Sequence, residues 1–283
     1  MSALFVDHLT VMDFTYLDAT RGLVGESWIV DIVLEGGLDD QGMVFDFGDV
    51  KKQIKRAIDD AFDHRFIVPE KLSTLECGEQ DGQLTLRWTD TLGRQWQHIS
   101  PADAVLLLPE SEITQDNSAR WLAELLRRFV PDNVDAIKVN LRTEAIDGAY
   151  YHYSHGLKKH LGNCQRIAHG HRSQLQIRVD NKRASDLEQQ WADRWQDIYL
   201  GTLEDMVEQF HEHDVEYVSF AYRSNQGDFS LTLPAERVYF IECDSTVELL
   251  ADHLAGQIST ARPGYAIEVK AYEGVWKGAI ARR

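Results

Sequence analysis

The sequence predicts an α+β fold made of two tandem ββααββ units, each an antiparallel sheet with helices packed on one face. Stretches with apolar residues at every second position alternate with stretches whose apolar residues recur every three or four positions, which are the periods of strands and helices. The order of these stretches also repeats. Pro101-Ala-Asp-Ala-Val-Leu-Leu-Leu is echoed by Pro234-Ala-Glu-Arg-Val-Tyr-Phe-Ile, and Val139 through Gly148-Ala149 by Val269 through Gly278-Ala279. Such spaced self-similarity marks a duplicated unit. It divides the chain into residues 1–145 and 146–283.

The first unit opens with a strand from Leu9 to Asp18 and a partner, Trp28 to Glu35, rich in β-branched residues. A polar turn, Gly36 to Gly42, ends the pair. Val50, Ile54, Ile58 and Phe62 lie at helical spacing, with Asp46 or Gly48 as the expected cap and Pro69 preventing continuation. Two β segments, Gln83 to Trp88 and Gln95 to Ile99, read as a hairpin through Leu92-Gly93, and Ala104 to Leu108 reads as a further strand. A helix from about Thr114 to Val130 presents Trp121, Leu122, Leu125 and Leu126, and Ala136 to Leu141 closes the unit. In the second unit the helix candidates are Ala184 to Leu200, continuing toward Phe210, and Ser245 to Ile258. Trp191 and Trp195 fall at helical spacing and are expected in the core, and His211-Glu-His213 is expected at an exposed helix end.

Composition narrows the function. The chain has 283 residues, enough for two ordinary domains with a sizeable core. No apolar run approaches the ~18 residues of a membrane span. The N-terminal Met-Ser-Ala-Leu-Phe-Val-Asp lacks the charged leader and apolar core of an export signal, so a cytoplasmic location is expected. Three widely spaced cysteines argue against a disulfide framework, and Cys77 and Cys243 are expected to be inert. A net charge of −17 without a basic stripe argues against nucleic-acid binding.

The most informative stretch is His155 to His171. His169-Gly170-His171 precedes the alternating segment Ser173 to Val179, so both imidazoles should leave one face of a strand, close enough to share a cation. The extended segment Ala149 to Ser154 ends at His155 and could bring a third imidazole to the same point. Three histidines leave one zinc position open, which distinguishes catalytic from structural zinc. Cys164, in the intervening loop, could be a fourth ligand, or a nucleophile or base beside the metal. Lys158, Lys159, Arg166 and Arg172 crowd this stretch, either to bind an anionic small molecule or as a solvated loop.

The two halves are complementary in chemistry. The first has Gly25-Glu-Ser27 where the second has His-Gly-His, so it should hold no zinc. It carries Phe62-Asp63-His64, whereas the second offers Phe210-His-Glu-His-Asp214, without the Asp-His order. Where the second has Tyr272-Glu273, an ungapped register places Arg142-Thr143 in the first.

Taken together, His155, Cys164, His169-Gly170-His171, Gly42-Met-Val-Phe-Asp-Phe47, Asp63-His64 and Glu273 resemble the signature of the 6-pyruvoyl-tetrahydropterin synthase / 6-carboxy-tetrahydropterin synthase family, which has the tunnelling fold. The departure is that the motifs are spread over two fused units. The resemblance implies a Zn2+-dependent lyase acting on 7,8-dihydroneopterin triphosphate, with zinc on His155, His169 and His171. Cys164 would be a base, His64 oriented by Asp63 would move a second proton, and Glu273 would receive the pterin's amine and ring N–H. Three outcomes divide the family: 6-carboxy-tetrahydropterin with release of acetaldehyde for queuosine-type synthesis, 6-pyruvoyl-tetrahydropterin, or aldolase-like cleavage associated with a glutamate near the cysteine position. The first is the expectation here, the pyruvoyl product or a non-catalytic zinc- or pterin-binding protein the alternative. Rings of six single units in the family imply a homo-oligomer, a trimer of fused chains. No nucleic-acid or membrane partner is expected.

Overall fold

A computed structural model describes residues 2–38, 42–44 and 47–283. The first half runs β1 (Ser2–Asp18), β2 (Gly22–Gly36), α1 (Phe47–Ala61), β3 (Phe66–Pro69), β4 (Glu76–Gln80), β5 (Gln83–Thr89), β6 (Gln95–Pro101), β7 (Val105–Leu108), α2 (Gln115–Leu126) and β8 (Val134–Arg142). The second runs β9 (Tyr150–His155), β10 (His169–Val179), β11 (Lys182–Arg183), α3 (Ser185–Arg194), β12 (Ile198–Thr202), β13 (Met206–Glu212), β14 (Val215–Ser224), β15 (Gly227–Pro234), β16 (Val238–Ile241), α4 (Val247–Ala261), β17 (Ile267–Tyr272) and β18 (Gly278–Arg282).

The fold is α+β, with three sheets ordered β7-β3-β1-β2-β8, β16-β12-β9-β10-β17-β18 and β13-β14-β15-β6-β5-β4. The central hairpins are antiparallel as expected. The short outer strands are not: β3 pairs parallel with β1 and β7, and β12 with β9 and β16. Parallel neighbours require a long crossover, and here it is a helix or a three-stranded insertion. The insertions of the two halves join edge to edge through β15 and β6 to make the third sheet.

The helices seal the sheets. Ile54, Ile58 and Phe62 of the α1 region and Leu122 and Leu126 of α2 pack on Met12, Phe14, Trp28 and Val30. In the second half Trp191, Trp195, Leu250 and Leu254 cover Tyr151, Tyr153, Leu175 and Val269. Thr114 caps α2 reciprocally with Asn117. Asp46, one expected cap of α1, lies outside the described residues, and Gly48 lies inside the helix rather than at its cap.

The expected helix from Ala184 toward Phe210 is much shorter. It ends at Arg194 because Asp197 turns left-handed (φ 57) and its N–H donates to the His152 carbonyl, directing the chain into β12 between β9 and β16. Phe210 to Asp214 is therefore the end of the β13–β14 hairpin, exposed from His211 onward, not a helix end, and cannot be the counterpart of Asp63-His64.

The true counterparts follow from backbone register. His64 (φ 55) donates its N–H to Asp13 as Asp197 does to His152, so Trp195-Gln196-Asp197 stands where Phe62-Asp63-His64 stands in the first half. Thr15 pairs with Gly25 across β1 and β2, and Ser154 with Gly170 across β9 and β10. Val24-Gly25-Glu26 therefore occupies the place of His169-Gly170-His171, one residue earlier than the sequence suggests.

The two hairpins meet at these glycines. Thr15 Oγ1 and Ser154 Oγ are 2.8 Å apart, and a Cβ on Gly170 would sit 2.7 Å from the Gly25 Cα. A Cβ on Gly25 would sit 2.7 Å from the His171 nitrogen. Backbone cannot yield as a flexible side chain can, so Gly170→Ala should cost about 3 kcal/mol of stability. Chemical denaturation checks this, and an unchanged midpoint would contradict the packing.

Candidate active site

The β9–β10 register sets His155 opposite His169, with His171 two residues along the same strand face. The three imidazoles each offer a nitrogen within 4.8 Å of the others. His169 donates Nδ1–H to the Arg166 carbonyl (3.0 Å) and His155 Nδ1 pairs with Ser245 Oγ (2.9 Å), which leaves each Nε2 free. Nε2 of His155 and Nε2 of His171 are buried without a hydrogen-bond partner. Orphaned buried nitrogens are rare. Burial, reinforced by the neighbouring imidazoles, holds the pKa values of His155 and His169 well below the ordinary histidine value, so both are neutral and competent as ligands. The donor set fits zinc with an open position.

The first half delivers a second cluster to the same place. His64 Nδ1 lies 2.7 Å from an Asp63 oxygen, whose other oxygen accepts the Asp13 N–H at 2.8 Å. The His64 ring is 5.3 Å from that of His169, and His64, Cys164 and His169 offer donor atoms within 4.8 Å of one another. Burial opposes charge on His64, but its hydrogen bonds with Asp63 and Cys164 outweigh burial and raise its pKa to about 10. At neutral pH His64 is thus an imidazolium, held between a carboxylate and a cysteine from the other half of the same chain. Its left-handed backbone is uncommon for a residue with a Cβ and is frequent at such sites.

Asp13 ties the clusters together. Its carboxylate lies 3.3 Å from His171 Nδ1, accepts the Ser27 hydroxyl at 2.5 Å and pairs with Lys277 Nζ at 3.0 Å. Burial would raise its pKa, but His171 and Lys277 hold it well below the usual carboxylate range. Lys277 also feels the charges of Glu273 and Asp63, and the Glu273 N–H donates to the Lys277 carbonyl, so the turn carrying Glu273 is docked on this network. Glu273 is half-buried.

At the positions matched by backbone register, Tyr16, Val24 and Glu26 stand where His155, His169 and His171 stand in the second half. Arg21 fills the space with a fork onto Asp197 (2.8 and 2.6 Å) and a bond to Tyr16 Oη (3.1 Å). Among the described residues the metal-competent clusters all lie in the His155–His171 region.

With this geometry in view, the comparisons with known proteins are specific. A family model described as 6-pyruvoyl tetrahydropterin synthase matches residues 14–152. Residues 14–152 belong to the 6-pyruvoyl tetrahydropterin synthase family. The matched stretch includes Asp63 and His64 and stops short of His155, Cys164, His169 and His171. A protein of Pyrococcus abyssi named as a 6-carboxy-5,6,7,8-tetrahydropterin synthase is 26% identical over 130 residues, covering 46% of this chain and 74% of its own. Its namesake from Pyrococcus horikoshii is 25% identical over the same length. The solved 6-pyruvoyl tetrahydropterin synthase of Plasmodium vivax is 18% identical, with a TM-score of 0.43 over 52% of this chain and 93% of that one.

The structure brings His155, Cys164, His169, His171, Asp63 and His64 into one region, with Glu273 on the turn docked beside it; the sequence reading missed Asp13, Ser245 and Lys277. Asp13 had a signal, a carboxylate within the otherwise apolar run of β1. Ser245 and Lys277 had none, because what they bond is remote in sequence.

Two titrations test the electrostatics. Asp63→Asn should return the His64 pKa from about 10 toward the ordinary ~6.5, read by NMR. Metal-free protein should melt at progressively lower temperature as pH falls below about 6.5. His155, His169, His98 (pKa about 3) and His152 (about 4) stay neutral in the fold through burial, whereas the unfolded chain takes up protons from that pH downward. A melting temperature flat between pH 7 and pH 4 would contradict their burial.

Proposed function

We propose that the chain is a zinc-dependent lyase of the 6-carboxy-5,6,7,8-tetrahydropterin synthase kind, acting on 7,8-dihydroneopterin triphosphate. The observation that carries this reading is the meeting of His64 from the first half with Cys164 from the second, their donor atoms and that of His169 within 4.8 Å of one another, beside the cluster of His155, His169 and His171. The names of the Pyrococcus relatives support the carboxy product. We further read residues 1–145 and 146–283 as two copies of one unit that share a single composite site.

His155, His169 and His171 would hold the metal, which when bound would supply Lewis acidity at the substrate side chain. Cys164, as thiolate, takes a proton from that side chain. His64, kept protonated by Asp63, is the matching proton donor, so the pair divides acid and base roles between the two halves. Glu273 receives the pterin's exocyclic amine and ring N–H in a charge-assisted pair. Lys277 and Asp13 hold its turn in place.

Incubation with dihydroneopterin triphosphate should yield a tetrahydropterin and acetaldehyde. A pterin product without acetaldehyde would assign the pyruvoyl reaction instead, and absence of turnover with zinc bound would favour a binding protein. Metal analysis should find one zinc per chain, lost in His169→Ala or His171→Ala. Cys164→Ala should keep the metal and lose turnover by roughly 10²–10⁴-fold, the usual worth of a positioned acid or base. Loss of zinc in that variant would make Cys164 a ligand.

A further inference from the structure

The four cations of the His155–His171 region have different fates. Lys158 pairs with Asp205 (2.5 Å) and Glu204 (3.2 Å), and Lys159 with Asp244 (3.0 Å). Arg172 donates to the Glu144 carbonyl and lies 4.0 Å over the Tyr150 ring. Arg166 is turned toward the relay instead. It is 5% exposed, with Nη1 3.4 Å from the His64 carbonyl and Nε 3.2 Å from Gln226 Oε1.

Arg65, the residue after His64, lies beside it. Its Nη1 and Nη2 donate to the Val105 and Asp60 carbonyls, and its Nε is buried with no partner. Burial, and next the charge of Arg65, depress the pKa of Arg166. Among the described residues the carboxylate in ion-pair reach of this pair is Asp103, 3.9 Å from Arg166 and largely exposed; Asp60 acts on Arg65 and Asp63 on Arg166 from farther off, and Asp63 is already bonded to His64. Two guanidinium groups crowded together in a partly dry wall repel each other, and the repulsion is relieved when an anion joins them. Their planar forks suit phosphate oxygens better than a lysine would.

We propose that Arg65 and Arg166 form an oligophosphate subsite beside His64 and Cys164. It rests on the reading of the site as one for a pterin triphosphate, and it assigns the substrate's phosphate arm to this wall and its ring to the Glu273 side. The arm would then leave next to the protonated His64.

Calorimetric titration of the zinc-loaded full chain with inorganic tripolyphosphate, and separately with neopterin, which lacks phosphate, tests this. Wild type should bind both. Arg65→Gln and Arg166→Gln should each weaken tripolyphosphate roughly ten- to hundred-fold and leave neopterin affinity unchanged. Arg65→Lys, which keeps the charge and loses the fork, should fall between. Should Arg166→Gln fail to fold by circular dichroism, the two Arg65 variants decide alone. Tripolyphosphate affinity unchanged in the folded variants overturns the subsite, as does neopterin binding in a wild type that ignores tripolyphosphate. Arginine-dependent tripolyphosphate binding without neopterin binding would support the subsite and overturn the pterin reading.

Discussion

The contact between Gly25 and Gly170 is the constraint on which the site depends. Two hairpins from opposite halves approach backbone to backbone because neither glycine carries a side chain, and Thr15 and Ser154 bond across the same seam. This approach lets Asp13 on β1 reach His171 on β10 and brings His64, at the end of α1, against Cys164 in a loop of the other half. Gly170 between the two histidines is thus a packing requirement as well as a spacer. The face opposite the imidazoles must be bare for the halves to touch.

Within that seam neighbouring imidazoles take opposite charge states. His155 and His169 have no carboxylate bonded to them, so desolvation keeps them neutral. His64 has Asp63 at 2.7 Å, and the pair outweighs desolvation and keeps it charged. Asp13 remains an anion because His171 and Lys277 surround it. A few ångströms therefore separate imidazoles ready to take a metal from an imidazolium able to give a proton. What separates His64 from His155 and His169 is the Asp63 carboxylate bonded to its Nδ1, together with its shallower burial.

The two halves share a backbone frame at the seam but not its chemistry. On the related side of the seam the same backbone bond that places His64 places Asp197, and the space is closed by Arg21. An ion pair at that depth satisfies its own partners and offers no free nitrogen to a metal. The asymmetry lies in the side chains, since the strand register and the left-handed turn are kept on both sides.

The sequence by itself determined the α+β class, the order of most elements and the residue types of the site. Those are local properties: the period of apolar positions, the two-residue spacing of His169 and His171, and the adjacency of Asp63 and His64. It misjudged the length of α3 because Ile198 to Leu200 is apolar enough to extend a helix, and only pairing between β9 and β16 makes it a strand. It also displaced the glycine match by one residue and missed Asp13, Ser245, Lys277 and Arg65. Tertiary structure alone decided that His64 meets Cys164 within one chain, that Asp13 backs His171, and that the outer strands run parallel. Each of these rests on contacts between residues tens to hundreds of positions apart, where no local period carries information and packing of the whole chain sets the distance.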